Sequence, residues 1–145
     1  MNRYKELKDK RKKDITEFPM FWAFNQMQFD EGMRQLGLEP HQISEVCRMP
    51  AGGISRKSDV PRFNEMIQRH GDEMRSAIEA DTTGDGFIFD MFYYELWNYE
   101  YLYTRDVTET LDALGLTIDV VNASEKLKHG LKKAIAAQRL DEESW

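Results

Sequence analysis

Phe87-Ile88-Phe89-Asp90-Met91-Phe92-Tyr93-Tyr94-Glu95-Leu96-Trp97-Asn98-Tyr99-Glu100-Tyr101-Leu102-Tyr103 carries nine aromatic side chains in 17 residues, and its reading decides the fold. Two periods compete in it. The odd positions from 87 to 103 are aromatic except at Met91 and Glu95, as strand alternation would give, yet the run is also apolar nearly all round at helical spacing. Length favours helix, because a run this long without Gly, Pro or a turn pair far exceeds the ~5–6 residues usual for a strand. Wound as a helix, Phe89, Phe92, Tyr93, Leu96, Glu100 and Tyr103 share one face, and Tyr94, Trp97 and Tyr101 form a second. A helix so apolar belongs at the centre of a bundle or at an interface.

Toward the N-terminus, Ser58 or Asp59 with Pro61 opens a helix whose stripe is Phe63, Met66, Ile67, His70, Met74, Ala77 and Ile78, ending near Ala80. Glu45–Arg48 and Ile54–Lys57 flank the breaker cluster Met49-Pro50-Ala51-Gly52-Gly53, which predicts a small hairpin near 46–57. Asn25 caps a helix bearing Phe29, Met33 and Leu36, and Gly37 stops it. Met20 to Phe24 form an aromatic link. Tyr4, Leu7, Arg11, Ile15 and Phe18 mark a first helix over about 2–17, which Pro19 ends.

Toward the C-terminus, Asp106-Val107-Thr108-Glu109 starts a helix that Gly115 stops, Thr117 caps a further turn, and Ser124 opens the last helix. Leu127, Leu131, Ala134, Ile135 and Gln138 line that helix. The matching Leu36-Gly37-Leu38 and Leu114-Gly115-Leu116 reflect shared helix-stop chemistry rather than duplication. The expected fold is mostly α with a minor β-hairpin: one compact domain, 1–145, of about six helices around the central aromatic helix.

With 145 residues, 41% hydrophobic and 32% charged, the chain is long enough for a real core and too apolar for disorder. No apolar run approaches the ~20 residues of a membrane span. Charges stand at the opening residues where a secretory signal would be apolar, and Cys47 is the single cysteine, so a reducing cytoplasmic location is expected. The net charge of -6 hides a segregation. In the basic N-terminal helix, 1–18, residues 1–13 hold seven basic against two acidic side chains, whereas the aromatic-rich region 76–125 holds eleven acidic against Arg105 alone. Such asymmetry bears on association rather than fold.

With these segments in place, the chain resembles a family of small uncharacterised proteins of bacterial phages, plasmids and related mobile elements, chiefly of Gram-positive bacteria. The residues that carry the likeness are Gly84-Asp85-Gly86-Phe87-Ile88-Phe89, Glu95-Leu96, Asn98, Glu100-Tyr101, Tyr103-Thr104 and Leu111-Asp112-Ala113-Leu114-Gly115-Leu116-Thr117. Phe18-Pro19-Met20-Phe21, Phe29 and Glu31-Gly32-Met33 fit as well. The resemblance implies a mobile-element setting and transfers no catalytic residues.

Several constellations invite chemistry. Asp81 to Phe92 resembles a calcium loop, but its closing position is Phe92 instead of a bidentate Glu and its third is Thr83, so a tight Asp-Gly turn is the better reading. Gly52-Gly53-Ile54-Ser55-Arg56-Lys57 could cradle a phosphate but lacks the spacing of a nucleotide loop. His41, His70 and His129 fall in separate elements, so no metal and no cofactor is expected. Glu100, with Tyr93 and Tyr103 near it on the aromatic face, would if buried have a raised pKa and could be a general acid or a metal ligand, and it heads the alternative reading of a small enzyme or ligand-binding domain.

The basic arm could contact phosphates, but its lysines are expected in water beside a docked apolar stripe, and the acidic remainder argues against direct nucleic-acid binding. A second reading has the opposite charges within the chain meet each other. The favoured reading is non-catalytic: an interaction protein that binds and inhibits a basic host protein, a nuclease of CRISPR or restriction type or another nucleic-acid-handling protein. Its contact surface is an acidic, aromatic, nucleic-acid-like face made of Asp90, Tyr94, Glu95, Trp97 and Tyr101.

Overall fold

In the computed structural model, which describes residues 1–143, the chain is mostly helical. The helices are α1 (Arg3–Glu17), α2 (Gln26–Gln35), α3 (Val60–Ala80), α4 (Phe87–Asn98), α5 (Tyr101–Thr104), α6 (Thr108–Ala113), α7 (Ile118–Asn122) and α8 (Glu125–Glu143). One antiparallel hairpin, β1 (Val46–Arg48) with β2 (Ile54–Arg56), completes them. The chain divides into two compact units, residues 1–11 with 72–145, and residues 12–71. The boundaries fall inside α1 and α3.

The first unit is built on α4. Ile88, Met91, Phe92 and Leu96 are fully buried, joined by Tyr4 and Leu7 from α1, Leu111 from α6, Val121 from α7, and Leu127, Leu131 and Ala134 from α8. Helix α8 packs closest. A side chain at Gly130 would start 2.5 Å from the Ile88 side chain, so the approach of α8 to α4 requires glycine there. Lys126 donates to the Ile78 carbonyl at 2.9 Å, placing a cation on the C-terminal end of α3, where the helix dipole favours it.

The aromatic run is helical, but it does not continue to Tyr103. Glu100 takes a left-handed conformation, φ 56 and ψ 42, after Tyr99 makes its last bond to the Glu95 carbonyl. In an uninterrupted helix Tyr101 would share the face of Trp97, which is open to solvent. The break turns Tyr101 back into the core instead, where it is 6% exposed, and its burial offsets the left-handed strain.

The second unit has two apolar clusters. Phe21, Met33, Leu36, Val46 and Ile54 join α2 to the hairpin, and Phe18, Met49, Phe63 and Met66 join α3 to the hairpin turn. Phe21 extends the sheet by an antiparallel bridge to Ile54. Both glycine stops act as expected. Gly37 and Gly115 have φ of 78 and 69, and Leu38 and Leu116 donate back to Met33 and Leu111 at 2.9 Å. Arg56 is tied to Asp59 at 2.8 Å and to the Leu36 carbonyl at 3.1 Å, so the Gly52–Lys57 stretch is a hairpin arm whose arginine braces α2.

Asp81 explains the turn into α4. Its carboxylate accepts from the backbone N–H groups of Gly84 at 2.9 Å and of Gly86 and Ile88 at 3.0 Å, filling with its own charge the nest that opens the helix. Burial pushes this carboxyl up, but the Ile88, Gly84 and Gly86 amides outweigh it and hold it below the usual carboxylate range. Asp81→Ala should therefore cost about 1–3 kcal/mol in urea unfolding. A carboxyl depressed on folding stabilises above its unfolded pKa of about 4 and loses that contribution as pH falls through the folded value. The gap between wild type and Asp81→Ala should accordingly narrow below about pH 4.

Candidate functional site

The acidic side chains of α4 point inward, toward α1. Asp90 accepts from the Arg3 backbone N–H at 3.0 Å and from its guanidinium at 3.5 Å, and the Asp90 carbonyl accepts from the Asn2 amide at 2.9 Å. Glu95, only 2% exposed, is paired with Lys8 at 3.3 Å. The Lys8 ammonium lies 5.1 Å from the ring centre of Tyr94 and 5.7 Å from that of Tyr4, whose rings are 5.6 Å apart. Two aromatic rings and one carboxylate thus flank the cation, whose side chain keeps part of its surface in water. Burial raises the Tyr4 hydroxyl well above its ordinary pKa, and the Glu95 charge adds to the shift. Lys10 pairs with Glu73 at 3.3 Å.

These contacts revise the expected surface. Asp90 and Glu95 are held by Arg3 and Lys8, Tyr94 packs on Tyr4, and Tyr101 is buried; of the five proposed contact residues only Trp97, 66% exposed, stands open to solvent. The lysines of the basic arm do not all remain in water. A carboxylate buried in mid-helix needs a cation within reach, and Lys8 supplies it. The signal was present in the sequence, since Tyr4, Lys8 and Arg11 recur at helical spacing beside the apolar stripe.

The Glu100 constellation does not assemble. Glu100 is exposed at the helix break, Tyr103 is 87% exposed, and the Tyr93 hydroxyl donates to Asp141, whose carboxylate, with burial, pushes Tyr93 up to about 12. An open depression of 320 Å³ lies between Arg3, Glu6, Leu7, Lys10, Glu73 and Phe87, away from Glu100. In the calcium-like loop, Phe92 is a fully buried core residue and Asp85 is bound to Lys133 at 2.7 Å and His129 at 2.8 Å. Those two partners hold the Asp85 carboxyl down at about 2. His70 bonds Asp14 at 2.8 Å in the other unit, and no group of three or more His, Cys, Asp or Glu converges among the described residues.

What remains outside is the stretch from the last turn of α4 onward. Glu100, Asp106, Glu109, Asp112, Asp119 and Glu125 are all exposed, with Arg105 the single basic residue among them. Trp97, Tyr103, Ile118 and Val120 expose apolar surface along the same stretch. Asp106 accepts from the Thr108 hydroxyl at 2.7 Å and backbone N–H at 2.9 Å, which lowers its pKa and keeps it ionised. No described helix is long and apolar enough to cross a membrane.

Lys8→Met strands the Glu95 charge and should destabilise by about 1–3 kcal/mol, less than a fully buried pair because the lysine is partly solvated. Adding Glu95→Gln should recover a large part of that loss, giving a coupling energy above 0.5 kcal/mol in a double-mutant cycle. Equal and additive losses would show that the pair contributes nothing.

No curated protein and no solved structure matches the chain. Residues 3–137, covering both units apart from the chain ends, match a family of unknown function, DUF7659, and the chain belongs to that family.

Proposed function

We propose that this protein is a non-catalytic interaction module that binds a basic, nucleic-acid-handling protein through the exposed acidic stretch 97–125. One observation carries the reading. Trp97 and Tyr103 stand open to solvent at the head of a segment whose six carboxylates are all exposed, while the acids of α4 are neutralised within the fold. Exposed carboxylates steer a cationic surface into encounter, and a desolvated tryptophan then supplies the anchor. The mobile-element resemblance favours a host nuclease of CRISPR or restriction type as the target, with inhibition following from occupation of its nucleic-acid surface.

The experiment is affinity capture from a bacterial lysate at low and high salt, followed by association kinetics with the captured protein. A basic protein released by salt is expected. Glu109→Gln, Asp112→Asn and Asp119→Asn together should lower the on-rate and flatten its salt dependence. Trp97→Ala should leave the melting temperature unchanged and cost on the order of 2–4 kcal/mol of binding. A partner that binds as tightly at high salt as at low, or that is indifferent to Trp97→Ala, contradicts the proposal.

A further inference from the structure

A separate apolar surface lies in the unit formed by residues 12–71. Phe24 is 90% exposed, Met27 75% and Trp22 48%. Phe24 is not loose chain: Asn25 accepts from the Gln28 N–H at 2.8 Å, and the Gln28 side chain accepts from the Phe24 N–H at 2.8 Å, a reciprocal cap that fixes the backbone on either side. A residue in this place normally staples its apolar side chain onto the first turns of the helix. Here Phe29, which would receive it, instead packs on Phe21 at 5.8 Å, and the Phe24 ring is left outward. The three side chains lie within six residues of one another, at the entry to and on the first turn of α2, and their separate exposures sum to roughly 400 Å² of apolar surface.

Met27 continues this patch along α2, where Glu31 and Arg34 share its outward stripe, opposite the buried Gly32, Met33 and Leu36. Neither Glu31 nor Arg34 has an ion-pair partner among the described residues. The stripe holds one charge of each sign, and residues 12–71 carry eight basic and eight acidic side chains. Such a face neither attracts a strongly charged partner nor repels itself. An isologous contact requires self-complementarity, and an antiparallel arrangement of two α2 helices sets Glu31 against Arg34 of the second copy twice.

We infer that the face formed by Trp22, Phe24, Met27, Glu31 and Arg34 joins two copies of this chain into a symmetric dimer. The apolar patch supplies about half of the ~800 Å² per partner of a standard interface, and the α2 stripe supplies its polar rim. This inference is independent of the acidic stretch.

The test is sedimentation equilibrium of the full chain across the micromolar range. Wild type is expected to dimerise reversibly, and Phe24→Ser with Met27→Ser to raise the dissociation constant by about 10- to 100-fold at an unchanged melting temperature. Arg34→Glu alone should weaken the dimer, and the exchanged variant Glu31→Arg/Arg34→Glu should restore it, because the two-fold axis pairs the same positions with signs reversed. Wild type that stays monomeric throughout overturns the inference. So does a dimer that survives Phe24→Ser/Met27→Ser, or an exchange that fails to restore association.

Discussion

A carboxylate in the middle of the most apolar helix, Glu95, is tolerated only because Lys8 meets it between the rings of Tyr4 and Tyr94. That pair sets the position of the first eleven residues. Arg3 meets Asp90 and Lys8 meets Glu95 at the same offset of 87 residues, so the two helices run side by side in the same direction over about one and a half turns. Parallel helices bring like dipole ends together, an arrangement that opposed side-chain charges help to offset. Breaking the pair would leave a charge where water cannot reach it.

The same pairing decides which acids are available to a partner. Residues 81–125 hold ten acidic side chains against Arg105 alone, and these fall into two groups. Asp81 is spent on backbone amides, Asp85 on Lys133 and His129, Asp90 on Arg3, and Glu95 on Lys8. Past the left-handed turn at Glu100, the carboxylates face solvent. The helix break therefore has two effects: it returns Tyr101 to the core, and it separates an internally neutralised helix from an open acidic segment.

Much of this was legible in the sequence. Helix boundaries followed from caps and stops, and Gly37, Gly115, Asn25 and Thr117 act as their chemistry dictates. The hairpin was written in Met49–Gly53. The break at Glu100 was not readable, because no Gly or Pro marks it and it depends on where Tyr101 finds its core. The contact residues were misplaced for a related reason. Sequence shows that Asp90 and Glu95 are acidic, but only the approach of α1 shows that their charges are already answered. Glu100 erred in the opposite direction: helical spacing carried past the break placed it among aromatics, whereas the backbone turns it outward.

The central claim, that the α4 carboxylates are spent inside the fold while those of 97–125 are open to a basic partner, is most directly tested by nuclear magnetic resonance with a lysine- and arginine-rich peptide at low salt. Backbone shifts along 97–125 and a shift of the Trp97 indole N–H are expected, with Glu95, Lys8 and the rest of α1 unmoved. Shifts centred on α1 and residues 87–96, or none along 97–125, would contradict it.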